Sequence, residues 1–442
     1  MPTITYPGRP LASYPVLSIF YKLFYSCTVL ARLPVWIVGF SLFQRARPLP
    51  SWSFKQSLMF RILTEIVFLT SRTETPVPLP LEPGKEKDRW EKLEPFPKDM
   101  YRGPLESESV EPALIGGTWY PKKPADPANV GPVILHIHGG AFVIGDGRSD
   151  ASGPMFDLFL KHGKTGPIFA PQYRLSSRPT SAPFPAALQD TLTSYLYFVR
   201  TLGIPASNIT ISGDSAGGNL AIALLRYIVE YGAELDIPQP KSAAILTPWV
   251  APVKHLWSEF VITSNPNYYT DYLGTEFCRW GAKAYIRGVS PEHPYIMALG
   301  HPFKTPVPML VTFGSAEILA VDGLEWIREM ERLEGNKLET YIEPDAPHDT
   351  VLVGHIIGFQ ESSTGVARRI VIKMLVVDLA SKSLRFTSSV VLSHTGDFNV
   401  APKYTGKFVG GKELRCLVGP NLYTPASSLT WTSPVFRACI IP

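Results

Sequence analysis

One short apolar run constrains what this chain can fold into more than any other feature. Val133–His138 (VILHIH) is continuous rather than alternating and runs directly into Gly139-Gly140, and Ile209–Ile211 reads as a second strand shortly before Gly213. Strands that are apolar on both faces are buried on both faces, which implies a parallel sheet covered by helices. The intervening segments agree. Leu188, Leu192, Leu196 and Val199 recur at helical spacing before Gly203, and Leu324, Ile327, Met330 and Leu333 do so before Gly335. Further short strands are expected at 167–170, 243–246, 309–313 and 338–342, with helices at 219–231 and from Thr350. Strands alternating with helices predict an α/β fold: a mostly parallel central sheet flanked by helices, with ligands at the strands' carboxyl ends.

Only the middle of the 442-residue chain follows this pattern. We expect three parts: an apolar segment and linker over 1–100, the alternating domain over 101–372, and a divergent tail over 373–442. An insertion at about 250–305, rich in Trp, Tyr and Phe, reads as a lid or cap. The stretch Pro76–Pro104 reads as an irregular connector. Pro15–Phe43 is strongly apolar but is interrupted by Lys22, Arg32 and Pro34. A membrane span needs about 20 apolar residues, and a central Lys costs roughly 2.5–3.5 kcal/mol. Val16–Ala31 is therefore a marginal span, and two readings stand: a membrane anchor, or helices packed as part of a cap. As an anchor, the excess of Arg45, Arg47, Lys55 and Arg61 over Arg9 leaves the bulk facing the cytosol from an intracellular membrane such as the endoplasmic reticulum. As a cap, it belongs to a soluble cytoplasmic protein.

The even balance of 42 Lys plus Arg against 38 Asp plus Glu, with no basic stripe, argues against a nucleic-acid partner. Cys27, Cys278, Cys416 and Cys439 match no zinc spacing, and neither H-E-x-x-H nor a Gly-rich phosphate loop occurs. No metal or cofactor is expected.

The chemistry centres on Gly213-Asp214-Ser215-Ala216-Gly217, a G-x-S-x-G pentapeptide between a predicted strand and a predicted helix. That context makes Ser215 a nucleophile candidate, because a sharp strand-to-helix turn exposes the hydroxyl and needs glycines where the backbones crowd. A serine needs a base oriented by an acid, in the chain order Ser, acid, His. His348, in Pro344-Asp345-Ala346-Pro347-His348-Asp349, follows the last strand, 133 residues after Ser215. Glu317, in Gly314-Ser315-Ala316-Glu317, follows the strand at 309–313, and Asp322 is its competitor at the start of the next helix. His138-Gly139-Gly140-Ala141-Phe142 directly follows VILHIH, where amides of Gly139 and Gly140, with that of Ala216, can bind an oxyanion. His138 reads as a brace for that loop and His136 as a core histidine.

These motifs resemble the hormone-sensitive-lipase-like branch of the α/β-hydrolase superfamily, particularly its fungal esterases. The matching residues are HGGAF (His138–Phe142), QYRL (Gln172–Leu175), FPAALQD (Phe184–Asp190), GDSAGGN (Gly213–Asn219), GSAE (Gly314–Glu317) and APHD (Ala346–Asp349), within roughly Arg102–Val371. The resemblance implies an α/β-hydrolase fold with a helical cap from the N-terminal segment and the insertion. It also implies a serine carboxylic-ester hydrolase acting on a hydrophobic, short-acyl ester. The family's usual acid is Asp, from which Glu317 departs. Some fungal relatives deacetylate sterol-like substrates, which suits a membrane-apposed enzyme. The same machinery serves acyltransferases and amidases, and relatives lacking the histidine serve as receptors. The tail after about Ile372 resembles nothing in the family and reads as an appendage or a read-through intron.

Overall fold

The computed structural model describes residues 9–163, 166–257 and 262–381, with side chains through 370, and two short strands beyond. The chain divides into two units, Met1–Asp378 and Leu379–Pro442. In the second, Lys403–Lys407 pairs antiparallel with Glu413–Leu417. The remaining expectations for the tail lie outside the described residues.

The first unit is built on eight strands: β1 (Trp90–Leu93), β2 (Ile115–Tyr120), β3 (Val133–Ile137), β4 (Ile168–Gln172), β5 (Ile209–Asp214), β6 (Ser242–Leu246), β7 (Met309–Gly314) and β8 (Leu338–Glu343). Their order is β1-β2-β4-β3-β5-β6-β7-β8. From β4 to β8 every pairing is parallel, while β1 and β2 join antiparallel. β3 to β7 are buried throughout, including the polar Thr210, Ser212 and Asp214 of β5.

The sequence reading contained no sign of β1 or β2, and it placed β1 inside an irregular connector. β2 reads IGGTWY, and two adjacent glycines argue against a strand interior. Those glycines are required by packing: a Cβ on Gly116 would collide with the Trp90 ring, and one on Gly117 with the Phe169 ring. Aromatic rings from neighbouring strands fill the space that side chains at 116 and 117 would take. The sheet consequently begins at Trp90 rather than after residue 100.

The helices are α1 (Pro15–Leu42), α2 (Phe54–Thr73), α3 (Ser149–Gly163), α4 (Ala186–Leu196), α5 (Ser215–Tyr231), α6 (Thr275–Tyr285), α7 (Ala320–Glu331), α8 (Thr350–Ile357) and α9 (Gln360–Ser381). α5 begins at Ser215 rather than at the expected Asn219, directly off the carboxyl end of β5. α1 runs unbroken through Lys22, Arg32 and Pro34 and packs antiparallel on α2. A polar knot holds the pair: the Glu65 carboxylate of α2 accepts from the Tyr25 hydroxyl and pairs with Arg32 at 3.1 Å and Arg61 at 2.8 Å. α2 starts with a reciprocal cap between Ser53 and Gln56 and packs on α6 and α8. Just before it, Trp52 is 1% exposed and donates from its indole N–H to the Asp345 carbonyl at 2.7 Å. The N-terminal helices thus reach the loop that carries His348.

Candidate active site

The turn from β5 into α5 is as tight as backbone allows. A Cβ on Gly213 would strike the Gly217 carbonyl, and one on Gly217 would strike the carbonyl oxygens of Ile137 and His138 at the end of β3. Ser215 sits on this turn at φ 52°, a left-handed conformation that costs a non-glycine residue of order 1–3 kcal/mol. The turn aims the serine at the strands' carboxyl ends, and Trp249 N–H fixes the Ser215 carbonyl at 2.9 Å.

Directly above lies the turn after β3. Gly140, Ala141 and Phe142 all have positive φ (98°, 53° and 63°), and the amides of Val143 and Ile144 both donate to the Gly140 carbonyl at 3.0 Å. Phe142 is locked by stacking on Tyr285, centroids 3.7 Å apart. His138 braces the turn from below: its ring stacks on Tyr173 at 4.1 Å and its Nδ1 meets the Gly139 carbonyl at 2.8 Å. Burial lowers its pKa to about 4, so it carries no charge at neutral pH. Gly139 presses on the nucleophile turn, since a Cβ there would collide with the Asp214 carboxylate and crowd Ser215 Cβ.

His348 and Glu317 come from separate loops, after β8 and after β7. Nδ1 of His348 lies 2.7 Å from Glu317 Oε2, and both side chains are buried. Burial first, then the neighbouring charges of Glu343 and Asp349, pushes the Glu317 carboxyl well above its ordinary range. Asp322, the competing acid, is elsewhere: it lies in the first turn of α7 and binds Lys254 Nζ at 2.7 Å.

Several acids unremarked in the sequence crowd the same floor. Asp214 binds Nε2 of the buried His136 at 3.0 Å, whose Nδ1 meets Ser212 Oγ at 3.1 Å. Burial holds His136 neutral, with a pKa of about 4. Burial raises Asp214 to about 6 and pushes the neighbouring Asp349 carboxyl well above its ordinary range. Asp271, from the insertion, is raised by burial to about 7. No sequence signal distinguishes these carboxyls, because each acts through neighbours supplied by other strands. Asp271, Glu317 and His348 present ligand atoms within 4.8 Å of one another. Those lone pairs are engaged: Nδ1 by Glu317, and Asp271 by the amides of Leu273 and Ile318.

Beside His348 a cavity of about 280 Å³ opens between α2 and the insertion. Thr64, Val67, Phe68 and Ser71 line it on one side, Tyr268, Tyr272 and Phe277 on the other. The Tyr272 ring meets His348 edge-on at 5.9 Å.

Comparison with known proteins agrees with this architecture. An α/β-hydrolase-fold family matches residues 134–352, from within β3 to the first turn of α8. The chain has the α/β-hydrolase fold. It is 29% identical over 192 residues to an acetyl-hydrolase of Streptomyces hygroscopicus, covering 43% of this chain and 59% of that one. To an ethyl acetate hydrolase of Pseudomonas putida it is 25% identical over 247 residues, covering 54% and 72% respectively. A crystallised esterase of the bacterial hormone-sensitive lipase family superposes with a TM-score of 0.52 at 20% identity, over 73% of this chain and 99% of that one. The chain thus shares its fold with that esterase, and α1 lies outside the region matched by the family.

Proposed function

We propose that this hydrolase is a serine carboxylic-ester hydrolase, cleaving a hydrophobic short-acyl ester through an acyl-enzyme. His348 takes the proton from Ser215, whose oxygen attacks the ester carbonyl. Glu317 holds the imidazole with its proton on Nδ1 and stabilises the imidazolium. The amides of Gly139, Gly140 and Ala216 receive the oxyanion, and Gly139 has no side chain to collide with Asp214 or crowd Ser215. His348 then protonates the departing alcohol, and a water activated by the same ring releases the acid. The observation that carries this reading is the buried 2.7 Å bond between Glu317 and His348 beside a strained serine turn, since buried polar pairing and backbone strain persist together at sites that need them. The relatives named for acetyl and ethyl acetate hydrolysis support the short acyl group, and the apolar cavity supports a greasy alcohol. A fluorophosphonate probe should label wild type and not Ser215→Ala, and a p-nitrophenyl and steryl ester panel should show turnover that the variant lacks. Unchanged labelling in Ser215→Ala excludes the mechanism.

The same enzyme is proposed to rest on a membrane surface through α1. Its only charged residues, Lys22 and Arg32, lie on the stripe turned toward α2, with Tyr25, Trp36 and Phe40. The outward face carries eleven exposed large apolar side chains, among them Ile19, Phe20, Leu23, Phe24, Val35 and Val38. A water-facing helix has the reverse arrangement. Half-burying that face in lipid is worth on the order of 10 kcal/mol at about 1 kcal/mol per side chain. Because α1 lies along α2, and α2 lies on the enzyme body, we propose a helix resting in one leaflet. Flotation with phosphatidylcholine vesicles should recover wild type and lose a Leu23→Ser, Phe24→Ser, Val35→Ser variant; equal flotation refutes it.

A further inference from the structure

The loop that bears Glu317 is held by side chains from a single distant segment. Asn265 Nδ2 donates to the Ile318 carbonyl at 3.0 Å. Asn267 Nδ2 lies 3.1 Å from the Ser315 carbonyl and 2.9 Å from that of Glu317. Thr270 Oγ1 donates to the Ala316 carbonyl at 2.8 Å. Asp271 Oδ2 accepts from the Ile318 amide at 2.7 Å. Every carbonyl from Ser315 to Ile318 therefore receives a side-chain donor from Asn265–Asp271. The segment is fixed in turn: Asn265 Oδ1 caps the Asn267 amide at 2.9 Å, and Asp271 Oδ1 caps that of Leu273 at 3.0 Å. Its tyrosines point the other way, with Tyr268 and Tyr272 walling the cavity.

We propose that Asn265–Asp271 is a positioning strap for the triad acid, one that sets where the Glu317 carboxylate stands against His348. This rests on the esterase reading for its effect on turnover, but not for its effect on geometry. A loop of four residues following a strand has no regular ladder for its carbonyls, which must be paired by water or by side chains. Pairing by water leaves the loop free to shift. Pairing by three side chains of one segment fixes all of its carbonyls at once, and a displacement of about 1 Å at a catalytic group can cost on the order of 100-fold in rate. The strap also accounts for a glutamate in the acid position. Its length matches a loop whose backbone is held by the strap rather than drawn toward the histidine. Asp271, buried beside Glu317 and His348, serves by accepting the Ile318 amide, and it touches no reacting atom.

The test uses Asn267→Ala, which removes the donor to two carbonyls, and Thr270→Val, which removes one, with Thr270→Ser as the conservative variant. The first readout is the far-downfield proton resonance of the His348 Nδ1–H bonded to Glu317, which reports the geometry whether or not an ester is turned over. The second is kcat per fluorophosphonate-titrated site on a p-nitrophenyl ester. We expect the resonance to shift or broaden in Asn267→Ala and Thr270→Val and to stay in place in Thr270→Ser. We expect kcat to fall about 10- to 100-fold with KM within threefold. Should Asn267→Ala fail to fold, Thr270→Val decides alone. A resonance unmoved in the folded variants overturns the strap. If wild type turns over no ester at all, the esterase reading falls while the resonance still decides the strap.

Discussion

Replacing Glu317 by glutamine tests the triad acid at its narrowest point. The side chain keeps its shape and loses its charge. In the proposed transition state His348 is an imidazolium whose charge centre stands about 4 Å from that of the carboxylate. At an effective dielectric near 20 this attraction is worth about 4 kcal/mol, or about 10³ in rate at 25 °C. Nothing orients the new amide, because Glu317 Oε1 has no hydrogen-bond partner. If the amide donates to Nδ1 it traps the wrong tautomer, which extends the loss toward roughly 10⁴. The assay is steady-state hydrolysis of a p-nitrophenyl ester, with active sites counted by fluorophosphonate. We expect kcat to fall at least about 10³-fold with KM nearly unchanged, and Asp322→Asn to change kcat less than twofold. A fall below tenfold for Glu317→Gln would refute the assignment of the acid.

The buried carboxyls make stability depend on pH in an unusual direction. Asp214, Glu343 and Asp271 are raised by burial to about 6, 7 and 7, above values near 4 in an unfolded chain. Raised acids favour the fold below the unfolded values and withdraw that support as pH climbs through the folded ones. The buried neutral His136 and His138 work in the opposite sense up to about pH 6.5, so calorimetry should show Tm declining from about pH 6.5 to pH 8; a flat or rising Tm in that window contradicts the burial account. By the same logic Glu317→Gln should melt higher than wild type at pH 8. Gly217→Ala drives a Cβ into two backbone carbonyls, so circular dichroism should show an unfolded chain or a loss above about 3 kcal/mol. Glu65→Ala removes the shared partner of Arg32, Arg61 and Tyr25, and the half-exposed arginines limit the loss to about 1–3 kcal/mol. Limited proteolysis should then cut between α1 and α2 earlier than in wild type.

What the sequence determined by itself was the middle of the sheet and the serine turn proposed as the nucleophile's. β3 is buried on both faces, so nearly every residue in it had to be apolar, and the turns after β3 and β5 had to be glycine-rich. Such requirements leave a local imprint, and so did Ser215, His348 and the placing of Glu317 after a strand. β1 and β2 left none: β2 needs glycine because rings from Trp90 and Phe169 occupy the space beside it, a demand set by neighbours far along the chain. Only the tertiary structure separated Glu317 from Asp322, by giving one to His348 and the other to Lys254. It alone showed that the charges of α1 turn inward, because a helix's two faces cannot be told apart until its partner is known. The burial of Asp214 beside Asp349 and the side chains that hold the Glu317 loop likewise depend on contacts made only after folding.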